Sequence, residues 1–188
     1  HTQGGTDMPE ELVVRHCSPT LAGLKTGNMF TCRYDTKQEL YGDISVMNKR
    51  LRAKGLRAIP LRFESGKALI YIYRPAKLER DFCNSEVCRI LGGCGYKCSD
   101  PSKCITKLMS RLREGGEFPH EIGLFLGYPP EDVEGFIEHR QCKLTGFWKV
   151  YGNEEQARRC FERFEKCTRV YTSCYQKGCP LERLAVAK

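Results

Sequence analysis

The sequence predicts an α+β fold in which a small, mainly antiparallel sheet is covered by several helices. Two β-rich runs, 56–63 and 67–74, flank the dipeptide Ser65-Gly66, which is typical of a hairpin turn. A third β-rich run lies at about 146–151. Several longer stretches carry apolar residues at helical spacing. A sheet made of the hairpin 56–74 and one further strand needs helices to bury its apolar face.

The first helices are predicted from start signals. A short helix is expected over 9–16, and Ser18-Pro19 then predicts a new helix through about Asn28. Serine is favoured at the N-cap, and proline is favoured at the first helical position.

A second, clearer helix follows Thr36, which has the spacing of a capping box with Glu39. The apolar residues that follow recur at i, i+4, i+7 and i+11 and predict one buried helix face: Leu40, Ile44, Met47 and Leu51. Gly55 predicts the end of this helix.

The hairpin strands differ in their expected positions. Residues 68–73 are apolar on both faces, which favours a central strand. Pro60 has no amide proton to donate, so its strand is expected at an edge of the sheet.

Proline, glycine and asparagine divide the rest of the chain into helices. These are predicted over 76–91 with a break near Asn84-Ser85, from Pro101 to Gly115-Gly116, from Pro119 to about Gly127, from Pro130 onward, and over 154–176. The pair around Pro119 and Pro130 is expected to form a helical hairpin.

Chain length and composition favour one packed core, since 40% of the 188 residues are hydrophobic. We expect one domain over 8–178 and a tail over 179–188. Residues 1–7 are polar and precede Met8, so we expect a cloning remnant or an upstream extension there. The start lacks the apolar segment of a secretion signal, and no run of about 18 apolar residues predicts a membrane span. These features predict a cytoplasmic protein.

Three segments together resemble the bacterial family DUF3793, a domain of unknown function. They are RHCSPTLAGLKTGNMF (15–30), FPHEIGLFLGYPPEDVEGFI (118–137) and KLTGFWKVYG (143–152). The resemblance extends over about 10–176 and implies a cytoplasmic bacterial protein. It implies no activity, cofactor or catalytic residue, so the chemistry has to come from the residues themselves.

Twelve cysteines are the main chemical feature of the composition. Cys160, Cys167 and Cys174 are seven residues apart and share an apolar helix face, which favours packing as small apolar side chains. Five others are dense between Cys83 and Cys104.

The loop of this dense region is a candidate metal site. Cys94, Cys98 and Cys104 could supply three thiolates to zinc or to an iron–sulfur cluster. Only the Cys94–Cys98 gap fits the usual zinc spacing, so the alternative, cysteines packed beneath neighbouring helices, stays open.

Cys17 is the candidate reactive thiol. If a helix begins at Ser18-Pro19, the helix dipole favours a thiolate at Cys17, with His16 beside it and Lys25 on the same helix. The alternative is that Cys17 only packs against that helix.

A candidate small-molecule site follows from the glycine-containing segments that carry the family resemblance. If these segments converge in space, they could enclose a pocket whose polar groups are Ser18, Thr20, Lys25, His120 and Lys149.

The formal net charge of +8 favours anionic partners, either small molecules or proteins, and is equally typical of a solvated basic surface. The densest basic run ends the predicted second helix: Lys49, Arg50, Arg52, Lys54 and Arg57. Nucleic acid stays open as a partner, although no phosphate-binding loop or RNA-binding sheet motif supports it.

Three functions are compatible with these patterns. The first is a thiol-based redox or metal-linked role, the second is a small-molecule or nucleotide-binding module, and the third is a basic, non-catalytic adaptor. The sequence specifies no reaction.

Overall fold

The computed structural model describes residues 8–187, so the predicted extension 1–7 and Lys188 of the predicted tail lie outside the described residues. The helices of the described part are α1 (Glu10–Leu21), α2 (Lys37–Leu51), α3 (Pro75–Asp81), α4 (Ser85–Gly93), α5 (Pro101–Arg113), α6 (Ile122–Phe125), α7 (Pro130–Ile137), α8 (Glu154–Gln176) and α9 (Leu181–Leu184). The strands are β1 (Gly27–Arg33), β2 (Arg57–Glu64), β3 (Lys67–Tyr73), β4 (Leu144–Thr145) and β5 (Lys149–Val150). None of the helices within 8–187 has the length and apolar character needed to cross a membrane.

The α+β class is confirmed, and the main sheet has the order β1-β3-β2 with antiparallel pairing. The predicted central position of β3 is confirmed. Pro60 lies on the edge strand β2, as predicted, and the register shifts between Pro60 and Arg62. The missing amide proton at Pro60 thus falls where the ladder is irregular.

The third strand of this sheet is β1, which replaces the predicted strand at about 146–151. β1 pairs with β3 from Gly27 opposite Tyr73 to Arg33 opposite Lys67. β5, which lies in the predicted strand, instead pairs with β4 in a separate two-stranded hairpin. β1 escaped prediction because inward and outward residues alternate clearly only from Phe30 onward.

The predicted helix start at Ser18-Pro19 is wrong, because α1 runs from Glu10 through both residues to Leu21. Val13, Val14, Cys17 and Leu21 are all buried on this helix. Burial of this continuous face outweighs the one helical hydrogen bond that Pro19 cannot make.

The prediction for α2 is confirmed in detail. The Thr36 side chain caps the helix by accepting a hydrogen bond from the Glu39 amide at 3.2 Å. Leu40, Ile44, Met47 and Leu51 are all buried. Gly55 follows with a φ of 73°, a left-handed conformation in which glycine costs little.

The chain divides into two compact units. The first unit runs to Pro75 and resumes at Cys167, and the second covers Ala76–Lys166. The single domain predicted over 8–178 stays a prediction, because compactness does not establish which parts fold alone.

The first unit has its core between the main sheet and helices α1, α2 and α9. The predicted tail contributes to this core, since α9 buries Leu181 and Leu184. Burial of these two leucines offsets the conformational entropy lost when this segment is ordered.

The second unit contains α3 to α7, the β4–β5 hairpin and the start of α8. The predicted apolar stripe of α8 buries Ala157, Phe161 and Phe164. In the same unit, Leu108 and Phe125 are fully buried.

Candidate functional site

A cavity of about 330 Å³ lies in the second unit, between α6, α7 and the β4–β5 hairpin. Its size falls at the lower end of the range for small-molecule sites, about 300–1,000 Å³. Apolar and aromatic side chains dominate its lining, with a few polar groups among them: Phe118, His120, Ile122, Gly123, Tyr128, Asp132, Val133, Phe136, Trp148 and Lys149.

Two aromatic contacts shape the wall of this cavity. Tyr128 stacks on Trp148 with ring centroids 4.8 Å apart. His120 meets Phe136 edge to face, with centroids 4.7 Å apart. Burial raises the pKa of Tyr128, so its hydroxyl stays protonated at neutral pH. The Tyr128 ring therefore presents an uncharged surface to this wall.

Gly123 allows α6 to pack closely behind this wall. A Cβ atom at this position would lie 2.8 Å from Cδ2 of Tyr128 and 2.9 Å from Cγ2 of Val133. Both distances are shorter than van der Waals contact, so any larger residue would displace two lining side chains.

Asp132 holds the hairpin side of the cavity in place. Its carboxylate is only 3% exposed. Oδ2 accepts a hydrogen bond from Trp148 Nε1 at 2.7 Å, and Oδ1 accepts from the Tyr151 and Gly152 amides, both at 2.8 Å. These donors fix both the indole ring and the chain after β5.

Two cationic or ionisable side chains complete the lining. The Nε2 atom of His120 lies 2.9 Å from Oε1 of Glu117, and this contact lowers the pKa of the Glu117 carboxyl. The ammonium of Lys149 lies 5.4 Å from the centre of the Phe136 ring, in a cation–π arrangement.

The structure brings together only part of the predicted small-molecule site. His120 and Lys149 line one cavity, whereas Ser18, Thr20 and Lys25 belong to the first unit. The hypothesis of one pocket built from all five residues has no support in the arrangement of either unit.

Ser18, Thr20 and Lys25 are buried in the first unit and make local hydrogen bonds. Ser18 donates to the Val14 carbonyl, and Lys25 Nζ donates to the Gly27 carbonyl at 2.6 Å. Thr20 Oγ1 donates to Asn28 Oδ1 at 2.7 Å. These contacts stabilise the end of α1 and its connection to β1.

The environment of Cys17 gives the activated-thiol hypothesis no support. Cys17 lies inside α1 and is 0% exposed. Burial raises its pKa well above the ordinary value, and the nearby Lys25 charge offsets only part of this. His16 is exposed beside it and stacks on Phe30. A buried, protonated thiol is a weak nucleophile.

The predicted metal ligands are not gathered around one point. Cys98 forms a disulfide with Cys88, and the Cys104 thiol donates to the Lys97 carbonyl at 3.2 Å. Within 8–187, no group of three or more His, Cys, Asp or Glu side chains is arranged to hold a metal ion. The described residues thus offer no fit for zinc or an iron–sulfur cluster at Cys94, Cys98 and Cys104.

The basic run includes one residue with a clear structural role. Arg50 forms ion pairs with Glu10 and Glu182, which joins α2 to α1 and α9. This part of the run is therefore committed to intramolecular contacts.

Sequence reasoning missed the residues that shape the cavity most. Neither Trp148 nor Tyr128 belongs to a sequence motif for a binding site, and Asp132 is not distinctive because acidic residues are common in the first turn of any helix. The one available hint is that the chain's single tryptophan lies in a segment of the family resemblance.

Comparison with known proteins agrees with that resemblance. The model of a family described as "Protein of unknown function (DUF3793)" matches residues 13–185. No curated protein and no solved structure matches the chain.

Proposed function

We propose that this chain, which belongs to the DUF3793 family, is a small-molecule-binding module that takes an aromatic ligand in the cavity of its second unit. The observation that carries the proposal is the cavity of about 330 Å³ with stacked Tyr128 and Trp148 in its wall. Binding sites of this kind combine apolar walls with a few fixed polar groups.

The expected affinity of a simple ring system follows from the area it can bury. One aromatic side chain buries about 150–250 Å², and apolar burial contributes about 25 cal/mol per Å². A ring fragment without polar contacts should therefore gain at most about 4–6 kcal/mol, which corresponds to a Kd between about 1 mM and 50 µM.

The test uses the neutral fluorescent probe N-phenyl-1-naphthylamine. Trp148 is the only tryptophan of the chain, so energy transfer from its indole reports binding within transfer range of this residue, and variants of the cavity lining locate the probe. We expect saturable probe emission and quenching of Trp148. Absence of saturable transfer in the folded protein would overturn the proposal.

Two variants locate the probe. Gly123→Ala should weaken binding by displacing Tyr128 and Val133, and Phe136→Ala should weaken it by removing one ring of the wall. Gly93→Ala is the matched control, because nothing lies within 4 Å of a Cβ atom there. Unchanged binding in both cavity variants would place the probe elsewhere.

A second candidate function, a thiol-based redox role, rests on the Cys88–Cys98 disulfide. If the protein is cytoplasmic, as we propose from its sequence, a disulfide there is typically transient and redox-sensing. We expect this bond to open in a glutathione buffer of cytosolic composition, as measured by alkylation and mass spectrometry. A bond that stays closed in that buffer is structural, and the redox role then fails.

A further inference from the structure

We infer that the ligand of the cavity is an aromatic carboxylate whose acidic group pairs with Lys149. This inference rests on the proposed function and adds the charge of the ligand to it. It depends on how the polar side chains of the lining are already used.

The other polar groups of the lining have partners within the protein. Asp132 accepts hydrogen bonds from three donors. His120 contacts the Glu117 carboxylate, and the Tyr128 hydroxyl donates to the Phe147 carbonyl at 3.4 Å. These three side chains have roles in the wall without a ligand.

Unlike these three side chains, Lys149 has no polar partner among the described residues that would occupy its charge. Among the described residues, its ammonium contacts the Phe136 ring, and no carboxylate forms an ion pair with it. Lys149 is an exposed residue of the cavity lining, so its ammonium is accessible to an anionic group carried by a bound ligand, and the two opposite charges attract each other.

The remaining charges favour the same class of ligand. The negative charge of Asp132 is stabilised by three donors on the hairpin side, and the Glu117 carboxylate already contacts the His120 ring. An anion at Lys149 therefore meets one cation that no carboxylate of the described residues balances.

The number of donors favours a carboxylate over a phosphate group. A phosphate dianion is usually held by several cations or by a row of backbone amides. Among the described residues that line this cavity, Lys149 is the only lysine or arginine, and its one ammonium matches the single charge of a carboxylate attached to a planar ring.

The experiment compares 2-naphthoate with 2-naphthamide, which have nearly the same shape and differ in charge. Calorimetric titration should show 2-naphthoate binding about tenfold more tightly, as expected for one charge-assisted contact. Lys149→Gln should remove this preference, so that the ratio of the two affinities falls to about one. Lys166→Gln, at an exposed lysine of the same unit outside the cavity lining, is the matched control and should keep the preference.

The outcomes separate the two proposals. Equal binding of both compounds, or a preference that survives in Lys149→Gln, overturns the carboxylate inference and leaves the aromatic site intact. If neither these compounds nor the neutral naphthylamine probe binds, the proposed function fails and the inference fails with it.

Discussion

Each unit contains a buried charged side chain that is hydrogen-bonded to neutral groups, Arg74 in the first unit and Asp132 in the second, and the two side chains have different roles. Arg74 of the first unit is 2% exposed and Asp132 of the second is 3% exposed. Arg74 closes a packed core, whereas Asp132 supports one wall of a cavity. A buried charge that is hydrogen-bonded to neutral dipoles can therefore either stabilise a packed core or support the wall of a cavity.

Arg74 forms hydrogen bonds with three segments of the first unit that are far apart in the sequence. Its guanidinium donates to the carbonyls of Thr20 and Leu21, both at 2.8 Å, at the end of α1. It also reaches the Lys54 carbonyl at 3.0 Å and the Val186 carbonyl at 2.7 Å, the latter just after α9. Burial lowers the pKa of Arg74, but arginine stays charged because its ordinary pKa is so high.

The largest effect is expected for Arg74→Met. This change removes a charged donor from four carbonyl groups, of which those of Thr20 and Leu21 are buried, so we expect the free energy of unfolding to fall by about 3–5 kcal/mol. Urea denaturation of this variant measures the loss, with Arg33→Met as a control at an exposed arginine of the same unit. A loss below about 1 kcal/mol would mean that water replaces the guanidinium as hydrogen-bond donor, and that Arg74 does not stabilise the core of the first unit.

Asp132→Asn tests the corresponding group in the second unit. An amide cannot accept from all three donors, so we expect a loss of about 3 kcal/mol in unfolding free energy and a red shift of Trp148 emission. The matched change Glu131→Gln alters an exposed carboxylate one residue earlier and should leave both quantities nearly unchanged. A stable Asp132→Asn variant with unshifted emission would show that the carboxylate does not hold the indole.

The Cys88–Cys98 disulfide lies wholly within the second unit and closes a loop with a sequence separation of 10. Its removal therefore tests whether the two units are stabilised independently. Replacing both cysteines by serine should lower the free energy of unfolding by about 2 kcal/mol. Hydrogen exchange should become faster in α4 and α5 and remain unchanged in β3. Equally faster exchange in β3 would show that the crosslink stabilises both units.

The smallest effect concerns pH and the first unit. The hydrogen bond from Arg50, first among several causes, holds the pKa of Glu182 below its ordinary value of 4.5. This pair therefore stabilises the protein above pH 4.5, and the contribution disappears as the pH falls through the lower folded-state pKa.

We expect the contribution to be below about 1 kcal/mol, because both side chains are about one-third exposed and salt screens them. Unfolding measured across this pH range should show a shallower acid dependence for Glu182→Gln than for the natural chain. If the free energy of unfolding depends on pH equally in both proteins, the Arg50–Glu182 pair does not contribute to acid sensitivity.

Local signals explain which elements could be predicted. Each confirmed signal depends only on residues close to it in the sequence. The confirmed signals are the cap at Thr36, the turn at Ser65-Gly66 and the proline at the start of α5. β1 and the course of α1 were missed because their outcome depends on a partner strand and on a core far along the chain.

The predicted site residues also fall into two groups, those that line the cavity and those that do not. His120 and Lys149 were selected from residue type and from the segments that carry them, and they do line one cavity. Ser18, Thr20 and Lys25 were grouped with them on the same grounds, but all three make hydrogen bonds in the first unit. Segment membership carries no information about which segments meet.

The α+β class, the family, most helix limits and the central place of β3 follow from the amino-acid sequence, because periodicity and capping are local properties. The burial of Cys17, the pairing of Cys88 with Cys98 and the cavity at Trp148 and Asp132 follow from the packed chain. They differ because pKa values, disulfides and pockets depend on distances between residues far apart in the chain. Those distances arise only when the chain packs.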